Sequence, residues 1–166
     1  MLIGRVLSLV VVMICASPSD AVDSDHTRTS LKGLAGVHVL VEHFDDERKR
    51  AGFDRRTFQT DVELKLRMAG IKVLSEKEHF SVSGMPTLTV NVTPLHKEPA
   101  KHASYAVQLQ LSQWVRLVRE PSLGRLRGVT WSHGGVGIGP IPFVREDVKD
   151  MTDQFINAWL SVNPKK

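Results

Sequence analysis

Cysteine is almost missing from this chain. The one cysteine, Cys15, lies close to the start, so the rest of the chain holds neither a disulfide framework nor a cysteine nucleophile. No run of Lys and Arg is interleaved with aromatics, and no RNP, zinc-finger or helix-turn-helix signature occurs, which removes the usual marks of nucleic-acid binding. Gly-x-Ser-x-Gly, His-Glu-x-x-His and His-x-His are also missing. Without them the common serine-nucleophile and zinc chemistries lose their sequence support.

What remains has globular proportions. Hydrophobic residues make up 42% and charged residues 24% of 166, which argues against disorder throughout and fits one domain. The net charge of +4 is compatible with an anionic partner such as a phospholipid or lipopolysaccharide headgroup.

The first 21 residues read as an export signal. Arg5 supplies a basic start, 6–16 an uncharged apolar run, and 17–21 a small polar end. The run is shorter than the ~20 apolar residues of a membrane anchor. Ser19 and Ala21 suit a cut before Val22, which predicts a periplasmic or secreted chain with no membrane span. Ile14 directly before Cys15 lacks the small residue that a lipid-attachment cysteine wants, so lipid anchoring is not expected. Residues 22–30 are expected as a flexible tail and 31–166 as a single α/β domain.

The strongest pattern lies at 105–119. Tyr105, Val107, Leu109, Leu111, Val115 and Leu117 alternate with Ala106, Gln108, Gln110, Ser112, Trp114 and Arg116, which predicts a long strand with one wet face. Residues 125–132 return beside it through a Pro- and Gly-containing loop, with Val129 and Trp131 on a shared face. Residues 37–44 are almost continuously apolar, as an interior strand covered on both faces would be. Phe58, Val62, Leu66 and Ala69 mark a helix over 57–69, with Thr57 or Thr60 as its cap and Gly70 as its end. Short strands follow at 71–74 and 86–95, separated by a polar connection at 75–84. The last helix, over 144–160, carries Val148, Met151, Phe155 and Trp159. The expected fold is α+β, a two-layer sandwich of a five-stranded mixed sheet with two helices on one face, in the order β-α-β-β-β-β-α.

Candidate sites are few. His133-Gly-Gly-Val-Gly-Ile-Gly139 resembles a phosphate cradle, but it lacks the Lys-Ser/Thr ending and reads as a flexible exit toward the last helix. Glu42, His43, Asp45 and Asp46 cluster at a strand end, yet alternation sends Glu42 and His43 to opposite faces. Ser81, Ser83 and Ser104 lack a nucleophile setting. Arg48, Lys49, Arg50, Arg55 and Arg56 form a basic group beside acidic neighbours. Trp114 and Arg116 on the wet face, with Arg119, Arg125 and Arg127 at the hairpin end, are the expected binding residues, because exposed Trp and Arg anchor interfaces. No catalytic residue, metal ligand or cofactor is expected.

The stretches 60–74, Trp131 with Gly134 and Gly135, and 155–164 resemble those of uncharacterised exported α/β proteins of Gram-negative bacteria. In element order the chain also resembles the TolB amino-terminal domain and the lipoproteins that activate penicillin-binding proteins. These resemblances imply an envelope setting and carry no catalytic residues over. The expectation is a non-enzymatic periplasmic binding or assembly module that contacts a protein or an anionic envelope component through its open sheet face. The alternative is a carrier of a small ligand or lipid in an apolar pocket, and a hydrolase comes third.

Overall fold

The alternating stretch becomes the strand on which the whole sheet is built. The computed structural model describes residues 23–44, 53–94 and 103–164. Strands β1 (His38–Val41), β2 (Thr87–Pro94), β3 (Ala103–Val115) and β4 (Leu126–Gly139) form one sheet in that spatial order. β1 runs parallel to β2, and the other pairs are antiparallel. The helices are α1 (Asp25–Arg28), α2 (Arg55–Met68), α3 (Glu76–Ser81) and α4 (Ile141–Val162). Among the described residues the fold is α+β with a mixed, open sheet of four strands and four helices, where five strands and two helices were expected.

α2 and α4 pack on each other and on the same sheet face, α2 over β1 and α4 over β3 and β4. Phe58, Val62 and Leu66 of α2 and Val144, Val148 and Phe155 of α4 are buried there. They meet Val39, Val41, Leu88, Val90, Val92, Tyr105, Val107, Leu109, Leu111 and Trp131. At about 1.5–3 kcal/mol for each large apolar side chain, this layer outweighs local propensity. Asp54, not Thr57 or Thr60, caps α2, its carboxylate accepting from the Arg56 amide at 3.1 Å and the Thr57 hydroxyl at 2.8 Å. At the other end Gly70 sits at φ +84° and the Ile71 amide reaches back to the Leu66 carbonyl at 2.9 Å, the closure expected there.

The missing fifth strand has a local cause. Residues 71–74 pair with the chain just before β1 through one parallel bridge, Val37 to Val73. Ser75 and Glu78 then form a capping box that starts α3 and turns the chain away. The stretch expected as a polar connection thus contains a helix. Glu78 is held down at about 2 by the Lys72 ammonium first, then by the Ser75 amide and hydroxyl. β1 is the sheet edge and not an interior strand, and Leu40 on its outer face is 39% exposed.

β4 departs from expectation twice. It runs through the glycine-rich segment, which is strand and not a flexible exit. It also contains a bulge: Leu111 pairs with Trp131 but Ser112 pairs with Val129, leaving Thr130 as an extra residue. Val129 and Trp131 therefore do not share a face. Trp131 is fully buried, and Val129 is 56% exposed.

Residues read as a loose tail are placed from Asp23 onward. Ser24 caps α1, the Asp23 carboxylate pairs with Arg28 at 2.7 Å, and the same carboxylate accepts from Trp131 Nε1 at 2.9 Å. An indole N–H buried without an acceptor is costly, so a lone core tryptophan fixes this end of the chain.

Candidate functional site

Among the described residues, the sheet face opposite α2 and α4 is covered only at one corner. Register places His38 and Leu40 of β1, Thr87, Thr89, Asn91 and Thr93 of β2, and Ser104, Ala106, Gln108, Gln110, Ser112 and Trp114 of β3 on it. β4 adds Arg127 and Val129 before its bulge, and Val136 and Ile138 after it. Val136 and Ile138 are 73% and 74% exposed. Trp114 and Val129 stand at one end of this face and Val136 and Ile138 at the other, with Gln108 and Gln110 between them. Aliphatic side chains this open are unusual on a sheet that already has a filled core on its other side.

The covered corner is built by α3 and the turn after it. His79 is buried and stacks on His38 with ring centroids 4.9 Å apart. Its Nε2 lies 2.9 Å from the Met85 carbonyl and 3.0 Å from the Thr87 hydroxyl. Because a carbonyl only accepts, Nε2 carries the proton and donates. His79 therefore cannot act through Nε2 as a base toward Thr87. From β4, Arg127 Nη1 donates to the same Met85 carbonyl at 2.7 Å, and Nη2 donates to the Thr87 hydroxyl. Burial at this corner pulls the Arg127 guanidinium below its ordinary value. Met85 adopts φ +43°, a costly backbone for a non-glycine residue, held by these donors and by Trp114. The Trp114 amide donates to the Gly84 carbonyl at 2.8 Å and the indole N–H to Met85 Sδ at 3.1 Å. The cluster latches α3 to the sheet and orients one edge of Trp114, leaving the indole 37% exposed.

Of the expected binding residues, Trp114 and Arg127 are cross-strand partners and meet in this cluster. Arg116, Arg119 and Arg125 lie beyond the last strand pair, Val115 with Leu126, at the hairpin end, and all three are exposed. Sequence reasoning missed His79, Thr87 and Met85. Their one sequence signal was the Ser75 and Glu78 capping box that starts α3.

The other candidates separate. The glycines lie within β4. An added Cβ at Gly137 would sit 2.6 Å from the Tyr105 ring, at Gly135 3.2 Å from Met151, and at Gly139 2.7 Å from Phe143. These glycines make room for large neighbours and leave no loop of amides to hold phosphate. Glu42 and His43 are exposed; Asp45, Asp46, Arg48, Lys49 and Arg50 lie outside the described residues. The Ser81 hydroxyl donates to the Lys77 carbonyl. Among the described residues no group of three or more His, Cys, Asp or Glu is placed to hold a metal ion. A groove of about 520 Å³ lies between His43, Phe44, Phe53, Arg55, Arg56 and Gln59, outside the sandwich interior and next to residues that are not described. Among the described residues no helix is long and apolar enough to cross a membrane.

Comparison with protein-family models finds no match to the chain, and comparison with curated proteins finds none.

Proposed function

We propose that this protein is a non-enzymatic binding or assembly module of the cell envelope, exported through its first 21 residues, and that it receives a protein partner on its uncovered sheet face. The observation that carries this reading is two exposed apolar groups at opposite ends of one sheet face, Trp114 with Val129 and Val136 with Ile138, on a sheet whose other face is already filled. Apolar anchors at both ends of a strip that carries the amides and hydroxyls of Gln108, Gln110, Asn91 and Thr93 offer a protein partner separated apolar contacts with hydrogen-bonding groups between them. The latch at His79, Thr87 and Arg127 supports the same reading, because a preoriented Trp114 loses less side-chain freedom on association.

The test is photo-crosslinking in intact envelopes from probes at positions 114 and 138, with a probe at Gln154, exposed on α4, as the control. The expected result is one protein adduct shared by 114 and 138 and absent from 154. Equal adducts from all three positions, or none from 114 and 138, would sink the proposal.

A further inference from the structure

The β3–β4 hairpin extends past the rest of the sheet. β2 pairs with β3 only as far as Ser112, so Gln113–Val115 and Leu126–Gly128 continue as a two-stranded arm. Its end, 116–125, is closed by the short turn Pro121–Leu123. Two kinds of side chain meet there. Val118 and Leu123 are 95% and 60% exposed, and Leu126 at the base is 38% exposed. Beside them in the chain stand Arg116, Arg119 and Arg125 against one acid, Glu120, whose carboxylate accepts from the Ser122 hydroxyl, while Arg127 at the base of the arm is held by Met85 and Thr87. Among the described residues no carboxylate is within ion-pair distance of any of the four arginines. Elsewhere in the fold, exposed cations such as Arg67, Lys72 and Arg145 have acidic partners.

We propose that this hairpin end docks on an anionic phospholipid surface, with Val118 and Leu123 entering the headgroup layer and Arg116, Arg119 and Arg125 contacting phosphates. The site is distinct from the protein-binding face and stands or falls independently of it. Interfacial binding needs buried apolar area together with attraction to anionic lipid, and the hairpin end carries both on a projecting tip. An arginine binds phosphate in a bidentate manner and lays its aliphatic stem along apolar surface, a chemistry suited to an interface between apolar and charged layers. A small patch of this kind gives reversible, salt-sensitive attachment and not insertion.

The experiment uses the full chain with Cys15→Ser and a single new cysteine, Ser122→Cys, carrying a polarity-sensitive nitrobenzoxadiazole dye. A second sample carries the dye at Asn157→Cys, exposed on α4. Each is mixed with vesicles of equal parts phosphatidylglycerol and phosphatidylcholine, and with vesicles of phosphatidylcholine alone. The expected result is a blue shift at position 122 with the anionic vesicles only, reversed by salt, and none at 157. At about fivefold per arginine near a charged surface, Arg119→Ala with Arg125→Ala weakens partitioning roughly 25-fold. Val118→Asp leaves the fold unchanged and abolishes the shift. No shift at 122, an equal shift with neutral vesicles, or a matching shift at 157 overturns the proposal. A response to single-stranded DNA in place of vesicles also overturns it, in favour of nucleic acid.

Discussion

Replacing Gly137 by alanine should cost far more than replacing Gly135, although both sit in the same glycine-rich strand. Gly137 lies directly across from Tyr105, whose ring occupies the space above the glycine, and an added Cβ would sit 2.6 Å from the ring Cζ and hydroxyl. The ring cannot simply swing aside. It is buried, and its hydroxyl donates to Asp147 Oδ2 at 2.6 Å. Moving it costs about 1–3 kcal/mol for overpacking. Losing a hydrogen bond to a charged acceptor adds about 1.5–3 kcal/mol. Together Gly137→Ala should cost about 3–5 kcal/mol. At Gly135 the nearest neighbour is the flexible methyl end of Met151, 3.2 Å away. That side chain can yield, and alanine in a strand recovers about 0.5–1 kcal/mol over glycine, so the net effect should lie near zero. The assay is urea unfolding followed by tryptophan fluorescence. With a slope of about 2 kcal/mol/M, Gly137→Ala should lower the midpoint by about 1.5–2.5 M while Gly135→Ala leaves it in place. Combining Gly137→Ala with Tyr105→Leu should show a coupling of at least about 1 kcal/mol, because the two positions share one space. A midpoint for Gly137→Ala within about 0.5 M of wild type, or equal losses for the two substitutions, would refute the reasoning and return the segment to a flexible loop.

Tyr105 is the single tyrosine, so phenolate absorbance reports it alone. Its phenol is raised above the ordinary value of 10.0 by burial first, then by the hydrogen bond to Asp147 and that carboxylate's charge. The stability it contributes is complete below pH 10 and lost as pH rises toward the folded value; absorbance should stay flat through pH 10 in buffer and titrate near 10 in urea, and equal curves would count against the burial. Asp23→Ala should cost about 1–3 kcal/mol by leaving Trp131 Nε1 without its acceptor, whereas Asp25→Ala should change little, because its pair with Arg28 is exposed at 3.8 Å; matching urea midpoints for the two variants would show that the start of the chain is not docked.

Legibility followed the length and regularity of each signal. The alternation in β3 and the apolar stripes of α2 and α4 repeat over several turns or strand steps, so they located the sheet, the core and the two packed helices. α3 has six residues, too few for a period to show, and its capping box lay inside a stretch that looked merely polar. Residues 71–74 have strand composition, but Ser75 ends them after one bridge, an event composition does not record. In β4 the glycines hid the strand, because their role is to accommodate side chains on β3 and α4 that are remote in sequence. The extra residue Thr130 reversed the phase of everything before it. At the candidate site, Trp114 and Arg127 were readable as residue types. Their meeting with His79, Thr87 and Met85 depends on pairings remote in the chain, 29 residues for Trp114 with Met85 and 40 for Arg127 with Thr87, that local patterns do not encode.

The extra residue at Thr130 also governs what can happen along the outside of the sheet. β4 is an edge strand of 14 residues, long enough to template pairing with another chain. At the bulge the ladder breaks and the strand twists more strongly, and the Ser30 hydroxyl caps the Thr130 carbonyl there while Gln113 ties both residues in place. A foreign strand approaching this edge meets two short segments out of phase with one another, separated by a plug from the start of the chain. The irregularity that obscures the sequence pattern thus works as a guard against edge-to-edge polymerisation, and it leaves the open face free for selective contacts.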